Sequence, residues 1–129
     1  MIVDTSAVMA ILLKEDDARI YLEALKNAPA RRMSGVSRVE LTIVAARKAN
    51  PVAERLVETF LHEARITVVP ISLDQITAAQ AAHLTFGRGR HPAKLNLGDC
   101  FAYALAKETG EPLLFKGGDF ALTDVVPAL

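Results

Sequence analysis

Thiol chemistry and large aromatic surface are almost missing from this chain: Cys100 is its only cysteine, and it has no tryptophan. A single cysteine excludes an internal disulfide and a thiolate zinc cluster. Its neighbours Phe101, Ala102 and Ala104 mark it as a small buried side chain rather than a nucleophile, since no histidine falls at a convincing spacing. Net charge is lacking as well. Lys+Arg and Asp+Glu both total 15, so overall charge points to neither nucleic acid nor membrane. The apolar run Ala7 to Leu13 ends at Lys14 and is far too short to span a bilayer. No basic stretch precedes the apolar start, so a cytoplasmic protein without a leader is expected.

What is present is aliphatic. The 51% hydrophobic content rests on Ala, Leu, Val and Ile, which suits helices packed tightly on a buried sheet. One domain spanning 1–129 is expected, large enough for a core that folds unaided. Met1 to Val3 reads as a strand, with a helix over Ser6 to Lys14 and a second, capped by Asp16-Asp17, running to Asn27. Met33 to Val36 reads as strand two and Ser37 as the start of helix three. Asn50-Pro51 combines an N-cap with a first-position proline and opens helix four, which runs to Ala64. Ile66 to Val69 is strand three, and Ser72 to Gln75 has capping-box spacing for a helix ending near Phe86. Gly98 to Thr109 forms the last long helix, stopped by Gly110. Leu113 to Phe115 is strand four, with Val125-Val126 as a final edge strand. Strands alternating with helices imply an α/β fold, a three-layer α/β/α sandwich with a four- to five-stranded, mainly parallel central sheet.

Local charge is more informative than the total. Arg31-Arg32 and the stretch from Gly87 to Lys94 are basic, and no acid falls between Gln75 and Asn96. Arg88, Arg90 and Lys94 are therefore candidate contacts to a polyanion, against the plain alternative of a solvated loop.

Four acids occupy equivalent topological positions. Asp4 closes the first strand, Asp119 follows strand four and a Lys116-Gly117-Gly118 turn, and Glu40 and Asp99 lie in first turns of helices. In a doubly wound sheet these ends converge on the edge where ligands bind. Each acid also has an ordinary explanation. Asp4 and Asp119 are good caps, Ser37-x-x-Glu40 has capping-box spacing, and Asp99 complements a helix dipole. Together they suggest crowded carboxylates neutralised by Mg²⁺ or Mn²⁺, the cations suited to oxygen ligands, and hence metal-assisted phosphoryl chemistry. Asp124 stands near enough to share the role of Asp119. His62, His83 and His91 are assigned no catalytic part.

The segments Met1-Ile-Val-Asp4-Thr5-Ser6-Ala7, Ser37-x-x-Glu40, Leu95 to Ala106 around Gly98-Asp99-Cys100, and Leu113 to Phe120 resemble, in order and spacing, the PIN-domain ribonucleases. Among these the chain is most similar to VapC toxins of type II toxin–antitoxin pairs. The resemblance implies a PIN-like fold, RNA hydrolysis, and Mg²⁺ or Mn²⁺ at Asp4, Glu40, Asp99 and Asp119 with Ser6 hydrogen-bonding within the site. It also implies a homodimer and a cognate VapB-type antitoxin whose C-terminal segment occupies the groove. Ile20, Leu25 and apolar residues of helix three are candidates for such a surface. Gly118 departs from relatives that carry Asn or Asp there.

Two rival classes fit less well. A receiver or dehalogenase-type phosphatase needs a second acid near the first strand, where Ser6 stands instead. A non-catalytic PIN-like module that binds RNA or protein would be expected to have lost an acid.

Overall fold

A computed structural model of the protein describes residues 1–49 and 53–129. Among these residues four short strands, β1 (Ile2–Val3), β2 (Arg31–Ser34), β3 (Ile66–Val69) and β4 (Leu113–Leu114), form one sheet in the order β3-β2-β1-β4. Every pairing is parallel. Among the described residues six helices surround it: α1 (Thr5–Leu12), α2 (Ala18–Asn27), α3 (Gly35–Ala49), α4 (Ala53–Glu63), α5 (Leu73–Phe86) and α6 (Leu97–Thr109). The three-layer reading of the sequence holds.

Adjacent residues of a strand point to opposite faces, and here both faces are buried. Val3 and Leu114, paired in register, join the core beneath α1, α2, α3 and α4 with Leu25, Leu41 and Val57. Ile2 and Leu113, the neighbouring pair, join the other core with Leu95, Ala102 and Leu105 of the α5–α6 side. This is why the strands read as unbroken apolar runs. Among the described residues no helix is long and apolar enough to cross a membrane.

The chain steps outward from β1 to β2 to β3 and then returns to place β4 on the other side of β1. The strand order therefore reverses between β1 and β4, and a crevice opens beyond their C-terminal ends.

Several boundaries differ from the sequence reading. The second strand is Arg31–Ser34 rather than 33–36, because Arg31 to Ser34 pair residue by residue with Ile66 to Val69. Helix α3 therefore starts at Gly35, with Ser34 Oγ accepting from the Val36 N–H at 3.2 Å. Arg31 and Arg32 are not a polyanion patch. Arg31 donates to the Leu25 carbonyl at 2.9 Å and Arg32 pairs with Glu111, at the end of the sheet away from the crevice. Val125-Val126 forms no strand; only Pro127 makes an isolated bridge, to Leu113. The Asn50-Pro51 helix start lies outside the described residues. Helix α6 begins one residue early, at Leu97, and ends at Gly110 in a left-handed conformation (φ 67°) that glycine adopts without strain.

Candidate active site

Asp4 serves two purposes at once. It is the N-cap of α1, with Oδ2 accepting from the Ser6 N–H at 2.9 Å and the Ser6 hydroxyl at 2.5 Å. Its other oxygen, Oδ1, is buried without a partner. An unpaired buried carboxylate oxygen is costly unless something neutralises it. Burial pushes the Asp4 carboxyl above the usual carboxylate range, against the Ser6 hydrogen bonds that lower it.

Glu40 does not make the capping box its spacing suggested. The earlier helix start puts it in the second turn of α3, out of reach of the helix end, and it turns toward the crevice. There its Oε2 accepts from Thr5 Oγ1 at 2.9 Å. Burial raises its carboxyl, opposed by that hydrogen bond and reinforced by Asp4.

Asp99 does form a capping box, with a partner the sequence reading passed over. Asn96 Oδ1 accepts from the Asp99 N–H at 2.9 Å, and Asp99 Oδ2 accepts from the Asn96 N–H at 2.8 Å. The Asn-x-x-Asp spacing was a legible signal for it. Desolvation pushes the Asp99 carboxyl up to about 7; the Asn96 bond opposes this, while Asp4, Glu40 and Asp119 add repulsion.

Asp119 is exposed and makes no cap bond to the short turn Phe120–Leu122 that it precedes. Gly117 in the loop before it has φ 104°, a conformation costly for a residue with a Cβ. Asp124 is not among the residues that line the acidic cavity with Asp119. It accepts from the Tyr103 hydroxyl at 2.7 Å and pairs with Lys107 at 3.0 Å, outside the acidic cavity.

Asp4, Glu40, Asp99 and Asp119 together line one cavity of about 350 Å³, with Ser6 and Asn96. The repulsion of Asp99 by the other three, of Glu40 by Asp4 and of Asp4 by Asp119 follows from that proximity. Lys116 and Glu15, which sequence reading did not assign, also line it. Lys116 Nζ is gripped by Glu15 at 2.5 Å and Asp17 at 2.6 Å, which raises its ammonium above the usual lysine range. Its backbone N–H donates to Ser6 Oγ at 2.9 Å, so Ser6 ties the loop carrying Asp119 to Asp4. No single-sequence pattern reveals that clamp, because it joins segments about a hundred residues apart.

The donor set fits a hard divalent cation: carboxylate oxygens, one of them orphaned, and no thiolate or imidazole among the lining residues, where Met9 supplies only a weakly ligating thioether. Yet among the described residues no three acidic, His or Cys side chains stand as a ready-made ligand trio. The cavity leaves room for the several waters that Mg²⁺ commonly keeps when it takes only one or two protein carboxylates directly.

The basic residues are not in this cavity. Arg88, Arg90 and Lys94 line a separate hollow on a loop closed by the Gly87–Leu95 bridge. Arg88 and Asn96 also border an apolar groove of about 850 Å³ between α5 and α6, and Asn96 borders the acidic cavity as well. Cys100 is buried, its thiol pushed up to about 11 by burial and then by Asp99, an environment that disfavours the thiolate.

A family model, the PIN domain, matches residues 1–126. The chain belongs to the PIN-domain family. Ribonuclease VapC28 of Mycobacterium tuberculosis is 50% identical over 130 residues, covering 100% of this chain and 98% of that protein. A ribonuclease VapC of Mycolicibacterium smegmatis is 46% identical over 125 residues, covering 97% of each. Among solved structures, the sarcin-ricin loop cleaving toxin VapC20 of M. tuberculosis superposes with a TM-score of 0.78 at 16% identity, covering 97% of this chain and 95% of that one. A toxin–antitoxin complex from Klebsiella pneumoniae matches at a TM-score of 0.72 and 21% identity, covering 99% and 97%. These two likenesses establish the shared fold. Within the family the chain is a VapC-type ribonuclease, the toxin member of a toxin–antitoxin pair. PIN-domain VapC ribonucleases generally depend on a divalent metal ion.

Proposed function

We propose that the chain acts as a single PIN domain that hydrolyses RNA phosphodiester bonds with Mg²⁺ or Mn²⁺ held by Asp4, Asp99 and Asp119, with Glu40 completing the quartet. The observation that carries this reading is that Asp4, whose Oδ1 is buried without a partner, lines one cavity with Glu40, Asp99 and Asp119. A divalent ion there supplies a more nucleophilic water and stabilises the departing oxygen. Ser6 holds Asp4 in orientation and fastens the Asp119 loop to it. Glu40, with its carboxyl raised by burial, is placed to accept a proton from the attacking water. Asn96 fixes Asp99 through the capping box.

Arg88, Arg90 and Lys94 bind flanking phosphates of the RNA rather than the scissile one, since they lie outside the acidic cavity. Leu25 is buried, but Ile20, Val39 and Ile43 are exposed, as are Leu84 and Leu97 by the apolar groove. Such apolar surface suits a homodimer and a VapB-type antitoxin in the cytoplasm. A sedimentation profile that is monomeric at every concentration removes the dimer.

The deciding experiment is cleavage of structured RNA by the purified protein with Mg²⁺ or Mn²⁺, then EDTA, beside Asp4→Asn, which keeps a competent N-cap. Metal-dependent cutting absent from the variant supports the site. Equal cutting by both proteins refutes it, and a folded wild type that binds metal but never cuts favours a binding-only module.

A further inference from the structure

Gly98 sits buried in the first turn of α6, one residue before Asp99. Its φ is not in the left-handed region, so its backbone does not require glycine. Glycine within a helix costs roughly 0.5–1 kcal/mol relative to alanine. Something other than backbone conformation must therefore favour a missing side chain here. That something is the Glu40 carboxylate, which crosses from α3 and packs on the Gly98 Cα. A Cβ at position 98 would lie 2.6 Å from Glu40 Cδ and 2.7 Å from Oε1, and closer still to Oε2. No real Cβ tolerates such contacts, so one of the two groups would have to move. The group that moves most easily is the end of a flexible side chain, and that is Glu40.

We infer that Gly98 is a positioning residue for the ribonuclease reaction: its bare Cα is the seat that holds the Glu40 carboxylate beside Asp99 at the N-terminus of α6. The proposal rests on the reading of Glu40 as part of the acidic quartet. The seat has two sides. Thr5 Oγ1 donates to Glu40 Oε2 from α1, and Gly98 leaves room for the carboxylate on α6. The partial positive charge of the α6 N-terminus favours an anion there, offsetting part of the burial that raises Glu40. The three atoms that a methyl group at position 98 would meet first all belong to the Glu40 carboxylate, the free end of a flexible side chain, so the carboxylate is the group it turns aside. Function and stability should separate at this one position.

The test compares Gly98→Ala, Glu40→Asp, the double variant and Glu40→Gln with the wild type. Each is followed by thermal unfolding, by Mn²⁺ calorimetry without RNA, and by RNA cleavage. Gly98→Ala is expected to unfold at or above the wild-type temperature. Its Mn²⁺ affinity and kcat are expected to fall roughly 10- to 100-fold, with KM little changed. Glu40→Asp withdraws the carboxylate by about one carbon–carbon bond, ~1.5 Å. The double variant should therefore bind Mn²⁺ and cut better than Gly98→Ala alone. If Gly98→Ala fails to fold while the double variant folds, the contact with Glu40 is upheld. Wild-type metal binding and cutting by Gly98→Ala overturn the proposal, as does a double variant no better than Gly98→Ala, or the failure of both to fold. A Glu40→Gln protein that binds Mn²⁺ and cuts normally strikes the quartet itself. A defective Glu40→Gln beside a normal Gly98→Ala strikes only the role of Gly98.

Discussion

Replacing Asp99 by Asn should make the metal-free protein more stable while destroying its activity. The amide keeps the capping box, since its oxygen can still accept from the Asn96 N–H. What it removes is a charge in a crowded, half-dry cavity. Asp99 rises from 3.8 to about 7 in the folded protein. A folded-state value above the unfolded one means that the folded protein binds the proton more tightly, so stability falls as pH climbs between those two values. Three pK units correspond to a ceiling of about 4 kcal/mol, and the carboxyl's partial exposure reduces this to about 2 kcal/mol. For 129 residues that is a melting temperature raised by about 7 °C in EDTA at pH 8, with the gap shrinking toward pH 4. Saturating Mg²⁺ should reverse the order: at a hundred times its dissociation constant, the ion adds about 2.7 kcal/mol to the wild type alone. Differential scanning calorimetry at pH 4.5 and 8, with EDTA and with Mg²⁺, reads all four values. A variant less stable than the wild type in EDTA at pH 8, or a gap independent of pH, would refute the crowded-carboxylate reasoning.

Asp119→Ala should abolish cleavage, whereas Asp124→Ala, which loses only its exposed contacts with Tyr103 and Lys107, should keep it and shift stability by no more than about 0.5 kcal/mol. A cleavage defect as large in Asp124→Ala would reverse that assignment. Because five carboxylates face a single Lys116 in the cavity, RNA should bind poorly until a divalent ion neutralises them. Fluorescence anisotropy that shows equal RNA affinity with Ca²⁺ and with EDTA would contradict this. Converting both Arg88 and Arg90 to Ala should weaken RNA binding and lower the salt slope of log affinity by about 2. An unchanged slope would make the loop ordinary surface.

Local pattern determined much of this protein. Unbroken apolar runs at Ile2-Val3 and Leu113-Leu114 specified a parallel sheet buried on both faces, because each strand must present apolar groups in both directions. Capping residues and glycines located most helices, and Asp4, Asp99 and Asp119 stand at the strand and helix ends expected of them, whereas Glu40 lies a turn deeper in its helix than expected. The tertiary structure decided what these residues do there. Ser37-x-x-Glu40 looks like a capping box, but pairing of β2 with β3 moves the helix start back to Gly35 and frees Glu40 to face Thr5 and Gly98. Arg31-Arg32 looks like a basic patch until register places both in β2, bound to Leu25 and Glu111. The clamp of Lys116 by Glu15 and Asp17, and the seat that Gly98 makes for Glu40, join residues far apart in the chain. Periodicity and capping reach only a few residues along the backbone, whereas these contacts exist only once the sheet order brings β1, β4, α3 and α6 to one edge.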